Sequence, residues 1–107
     1  MPNWDQYMAN SDGYDWASFT LASGQTDYDL KANQAALFNN LVQAKGIILI
    51  SDQPLGIKLN NTAYPMMTVT VAQMPWEFLD LKIIKDAYLT NSSGITANIE
   101  VLLVWRN

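Results

Sequence analysis

The chain contains no cysteine and no histidine. Without thiols there are no disulfides, no cysteine nucleophile, no iron–sulfur cluster and no cysteine-bound zinc. Without imidazole there is no Ser–His triad, no histidine acid–base chemistry and little zinc chemistry of any kind. Charged residues are also scarce, at 15% of 107. The six basic ones, Lys31, Lys45, Lys58, Lys82, Lys85 and Arg106, are scattered singly, whereas nucleic-acid binding needs clustered cations to displace counterions. Long apolar runs are missing too. The longest, Ile47–Ile50 and Val101–Trp105, fall far short of the roughly 20 residues that cross a bilayer. Neither a nucleic-acid partner nor a membrane span is expected.

The start, Met1-Pro2-Asn3-Trp4-Asp5, carries no positive region or apolar stretch of a secretion signal. The sequons at Asn60 and Asn91 therefore read as turns, and the lack of cysteine fits a reducing cytoplasm or a particle assembled there. The net charge of −4 is unevenly placed: residues 1–29 hold five acids and no base, while residues 30–107 hold five acids and six bases. Such an acidic first quarter either docks on a basic surface or keeps a small apolar domain soluble.

What is present is a succession of short β patterns. Residues 1–16 show neither a strand nor a helix period and read as an extended N-terminal arm. From Ala17 the apolar residues Ala17, Phe19 and Leu21 alternate, and a short strand follows over Thr26–Leu30. Asn33–Ala44 predicts the one short helix, with Asn33 as cap and Ala36, Leu37, Leu41 and Ala44 at helical spacing; the alternative is an irregular crossover. Strands are then expected at Ile47–Ser51, Leu55–Asn60, Met66–Val71, Trp76–Ile84, Asp86–Thr90 and Ile95–Trp105, with Asp52-Gln53-Pro54 as a hairpin turn and Asn91-Ser92-Ser93-Gly94 as a tight turn. About eight short strands without βαβ alternation predict a mostly β fold: an antiparallel β-sandwich, jelly-roll-like, as a single domain over residues 17–107.

The last strand carries more apolar surface than one core requires. Ile95, Ala97, Ile99, Val101, Leu103 and Trp105 line one face, but the other also turns apolar at Leu102 and Val104. Something must cover that second stripe, either the chain's own arm or an identical neighbour. The arm holds Trp4, Tyr7, Tyr14 and Trp16, aromatics of the kind that anchor protein interfaces. Trp4, Tyr7, Tyr14, Trp16, Leu102 and Val104 are accordingly the expected protein-interface residues.

Other constellations fail as chemistry. Asn10–Asp15 looks like a calcium loop until Gly13 is aligned with the loop glycine, which puts Met8 and Phe19 at ligand positions. Asp27 and Asp29 share one face of a strand, which suggests a carboxylate pair, but Lys31 lies on the same face to neutralise them. Trp76 beside Glu77 can stack on a sugar, yet Phe78 and Leu79 next to them indicate packing under a sheet rim. No catalytic residue, metal or cofactor is expected.

Several phrases together, Thr26-Asp27-Tyr28-Asp29-Leu30, Ile50-Ser51-Asp52-Gln53, Ile57-Lys58-Leu59-Asn60, Leu89-Thr90-Asn91-Ser92-Ser93-Gly94 and Ala97-Asn98-Ile99-Glu100-Val101, resemble small virion structural proteins of tailed bacteriophages. The resemblance spans residues 26–104 and implies a non-enzymatic, homo-oligomeric capsid decoration or cement protein, with a trimer preferred. Its implied partners are its own copies and the major capsid or other virion proteins, and its place is the virion, assembled in the host cytoplasm. The alternative is a carbohydrate-binding or host-recognition module of a tail or fibre, which an exposed row of coplanar aromatics would favour.

Overall fold

The computed structural model describes residues 5–105, except for the side chains of residues 80–82. A short helix α1 (Asp5–Ala9) precedes strand β1 (Gly13–Leu21) and the two-residue β2 (Tyr28–Asp29), which runs into a single helical turn, α2 (Leu30–Asn33). The remaining strands are β3 (Ala44–Ser51), β4 (Leu55–Leu59), β5 (Met67–Val69), β6 (Trp76–Ile84), β7 (Ala87–Thr90) and β8 (Ala97–Trp105). They form two four-stranded sheets, β1-β8-β3-β6 and β2-β7-β4-β5, antiparallel at every pairing. Apart from β4 and β5, each strand lies in the sheet opposite its predecessor, which is the jelly-roll arrangement of a β-sandwich.

The expected strands are present, with β6 at its expected limits. Asp52-Gln53-Pro54 does not close a hairpin, however, because β3 and β4 belong to different sheets. A hairpin and a sheet-to-sheet corner use the same turn residues. Here Ser51 Oγ accepts from Gln53 N–H and donates to Gln53 O. The Asp52 carboxylate accepts from Asn98 N and Nδ2 at 2.8 and 2.7 Å, tying the corner to β8.

The helix expected over Asn33–Ala44 is replaced by α2 and an irregular crossover. Asp29, rather than Asn33, supplies the cap, its carboxylate accepting from Ala32 N. Helical geometry is abandoned at Gln34, and Phe38 adopts a left-handed backbone with φ 56°. Leu37 and Phe38 are buried in the core, and the amides of Asn39 and Leu41 donate to Asp15 Oδ2 at 3.2 and 3.0 Å instead of to helix carbonyls. Burial of two large side chains together with two charge-assisted hydrogen bonds outweighs a helix already weakened by Asn39-Asn40.

Residues 5–16 are likewise not an extended arm. Asn10 Nδ2 and Ser11 Oγ donate to the Gln6 and Met8 carbonyls at the end of α1, and residues 13–16 are the first half of β1. The alternation of β1 is present there with its chemistry inverted: Asp15 points inward, only 3% exposed, while Tyr14 and Trp16 point outward. An apolar-in, polar-out pattern therefore misses it.

Candidate functional site

The outer face of the β1-β8-β3-β6 sheet follows from register. Tyr14, Val104, Gly46 and Leu79 form one cross-strand row, Trp16, Leu102, Ile48 and Glu77 the next, and Ser18, Glu100 and Ile50 the third. Gly46 lets this row close up, because a Cβ at that position would lie 2.7 Å from Leu79 Cδ2 and 2.8 Å from Val104 Cγ2 and would push those side chains aside. Ile48, Leu102 and Val104 form a small second core, against which Tyr7 and Met8 of α1 pack together with Trp16, Ile50 and Leu79. The Tyr7 hydroxyl donates to Glu77 Oε1, fastening α1 across to β6.

The apolar stripe is thus covered by its own chain. Leu102 is 0% and Val104 4% exposed, so neither presents a surface to a neighbour, which corrects their expected interface role. Tyr7 and Trp16 are partly buried in the same cluster, and Tyr14 remains exposed. Trp4 lies outside the described residues.

Among the described aromatics only Tyr14 and Tyr64 are exposed, on β1 and in the loop before β5. Trp76 and Phe78 stack on each other at 6.0 Å and pack against the main core. Phe19 and Tyr28 stack at 5.7 Å, joining the β1 edge of one sheet to the β2 edge of the other. That contact closes one side of the sandwich, and Gln34 Nε2 reinforces it by donating to the Tyr28 hydroxyl at 2.7 Å.

The opposite side, where β5 and β6 are the edge strands, is open. A cavity of about 380 Å³ lies between the sheets there, lined by Leu59, Asn60, Tyr64, Pro65, Met67, Phe78 and Ile84. Of its lining side chains Tyr64 is exposed, whereas the exposed Met66 and Ile83 adjoin the lining residues Met67 and Ile84 in sequence and lie on the outer faces of the two sheets. Asn60 holds its upper end. With φ 68° it accepts from Lys85 N and Asp86 N through Oδ1, at 2.6 and 3.3 Å, and donates from Nδ2 to Ile83 O at 2.9 Å. This seam carries no local sequence signal, since its lining is shared between the end of β4, the 60–65 loop and β5 of one sheet and β6 of the other.

The strand face of Asp27 and Asp29 is salt-bridged, but not by the expected Lys31. Asp27 has φ 48° and forms an ion pair at 3.1 Å with Lys58 rather than with Lys31. Asp29 is committed to capping α2, and its carboxylate neighbour is Asp86. Asp86 accepts from Lys31 N and Ala87 N at 3.2 and 2.7 Å. Burial, and then the hydrogen bond with Asp29, push its pKa up to about 6. The native state thus keeps a proton that the unfolded chain gives up near the ordinary value of 3.8. This contribution to stability is complete at low pH and is lost as pH rises through about 6. Asp86→Asn is expected to raise the Tm by a few degrees at pH 7.5 and to change it little at pH 4.5, measured by circular dichroism against the unsubstituted chain.

No family model and no curated protein matches the sequence. Among solved structures the chain is similar to a de novo designed double-stranded β-helix determined by solution NMR. The two are 12% identical, the match covers 80% of this chain and 94% of that chain, and the TM-score is 0.47.

Proposed function

We propose that the protein is a non-enzymatic structural component of a virus particle, a homo-oligomeric capsid decoration or cement protein that stabilises the particle by burying apolar surface between copies and against the capsid. The observation that carries the reading is the open β5/β6 side, where an apolar cavity lined by Leu59, Pro65, Met67, Phe78 and Ile84 carries the exposed Tyr64, with Val71 exposed just beyond β5. Apolar surface gathered in this way marks an interaction site more often than a solvated face. The phrases within residues 26–104 that resemble small phage virion proteins supply the particle, and analogy with blocks seated on threefold positions favours a trimer.

Size-exclusion chromatography with light scattering tests it. At micromolar concentration the mass should be a multiple of 12.0 kDa, and electron microscopy of intact particles should locate the chain on their surface. Tyr64→Glu combined with Val71→Asp should reduce the mass to that of one chain without changing the far-ultraviolet circular dichroism, because both side chains are about half exposed. An unsubstituted chain that stays monomeric and is missing from the particle overturns the proposal.

A further inference from the structure

The two sides of the sandwich are unlike. At the β1/β2 side the Phe19–Tyr28 stack fills the gap between the sheets. At the β5/β6 side no such plug is present among the lining residues, and about 380 Å³ is left between Leu59 and Met67 of one sheet and Phe78 and Ile84 of the other, with Tyr64 and Pro65 at the mouth. That volume lies within the range of about 300–1,000 Å³ usual for small-molecule sites, and an apolar cavity of roughly 150 Å³ already accepts a benzene ring.

The chemistry of the wall narrows the occupant. Among the described residues no charged side chain lines the cavity, so these walls offer an entering ion no compensation for its lost hydration. Asn60 is the one amide in the lining, and its groups are largely used by the backbone: Oδ1 by Lys85 N and Asp86 N, and Nδ2 by Ile83 O. Among the described side chains of the lining, one Asn60 amide proton and the Tyr64 hydroxyl are the polar groups that remain. A sugar, whose many hydroxyls each need a partner, would leave most of them unpaired. A flat ring meets the Phe78 and Tyr64 side chains and the Met67 thioether, all of which pack well against aromatic faces.

We propose that the β5/β6 seam of each chain is a binding site for a small neutral aromatic or hydrocarbon molecule of one or two rings, bearing at most one polar atom. The site is complete within one chain and does not depend on self-association.

The test uses 1-naphthylamine, a neutral two-ring fluorophore with one nitrogen whose emission rises at the blue edge in apolar surroundings, titrated into the whole chain. Saturable enhancement with one site per chain is expected. In parallel, the Met67 and Ile84 methyl signals should shift through ring currents to the same saturation point, while the Ile95 methyl signals stay in place. Tyr64→Ala, at a position 56% exposed and so dispensable for folding, should weaken binding about tenfold, equivalent to about 1.4 kcal/mol. No saturable enhancement overturns the inference. Methyl shifts elsewhere, or unchanged affinity in Tyr64→Ala, also overturn it. Enhancement found only in the oligomer shows that the site is not complete in one chain and overturns it likewise, whereas binding by a monomer upholds it even if self-association fails.

Discussion

Leu102→Asp is expected to unfold the domain rather than to release a folded monomer from an assembly. Leu102 is 0% exposed, in a cluster with Ile48 and Val104 beneath Tyr7 and Met8. Truncating the leucine forfeits about 2–3 kcal/mol of apolar burial. Enclosing a carboxylate among these apolar side chains adds about 3–5 kcal/mol. Together these come to about 5–8 kcal/mol, which matches the lower half of the roughly 5–15 kcal/mol that holds a domain of this size together. Circular dichroism and urea titration should show no cooperative transition at 25 °C. A folded, soluble variant would mean that α1 does not cover the stripe, and would return Leu102 to an interface between chains.

The second large effect is expected at Asn91, a fully buried side chain at the end of β7. Its Nδ2 donates to Leu21 O and to Ile95 O, each at 2.9 Å, and its Oδ1 accepts from Ser93 N and Ser93 Oγ at 3.1 and 2.7 Å. Its backbone joins the same knot, accepting from Gly24 N and donating to Gln25 O. One amide thus links the end of β1 to both sides of the β7–β8 corner. Asn91→Ala leaves the backbone bonds in place but strands the Leu21 carbonyl and the Ser93 amide. A loss of about 3 kcal/mol is expected, lowering Tm by roughly 10–20 °C. Asn91→Asp should be as damaging at neutral pH, where the carboxylate faces two carbonyl oxygens. Part of the stability should return at acidic pH, where the protonated acid donates to one of them. Equal Tm values for the three proteins across pH would remove Asn91 from this role.

Neither residue was legible at this weight from sequence. Asn91-Ser92-Ser93-Gly94 reads as a turn, which it is, but a turn motif does not reveal that its asparagine reaches Leu21, 70 positions earlier. Leu102 and Val104 were visible as an excess apolar stripe, and the need for a cover followed from solvation alone. Which chain supplies the cover depends on where α1 lands. The open seam was hidden for the same reason, because Leu59, Tyr64, Phe78 and Ile84 become neighbours only after the sheets stack. Asp86 likewise looks like an ordinary turn acid until β2 and β7 pair and bring Asp29 beside it.

The amino-acid order alone determined most of the strand pattern, with its ends at Asn, Ser, Gly and Pro, and a mostly antiparallel class from the lack of long helical crossovers, though not α1, the first half of β1 or the irregular 34–43 segment. It also excluded thiol and imidazole chemistry by composition. Tertiary structure decided what local pattern cannot encode: whether Asp52-Gln53-Pro54 turns within a sheet or between sheets, that Asp15 draws the 34–43 segment out of a helix, that α1 seals the outer stripe, and that one side of the sandwich is plugged while the other stays open. The physical reason is that alternation reports which face of a strand is apolar, whereas the identity of whatever covers that face is settled by contacts between segments distant in the chain.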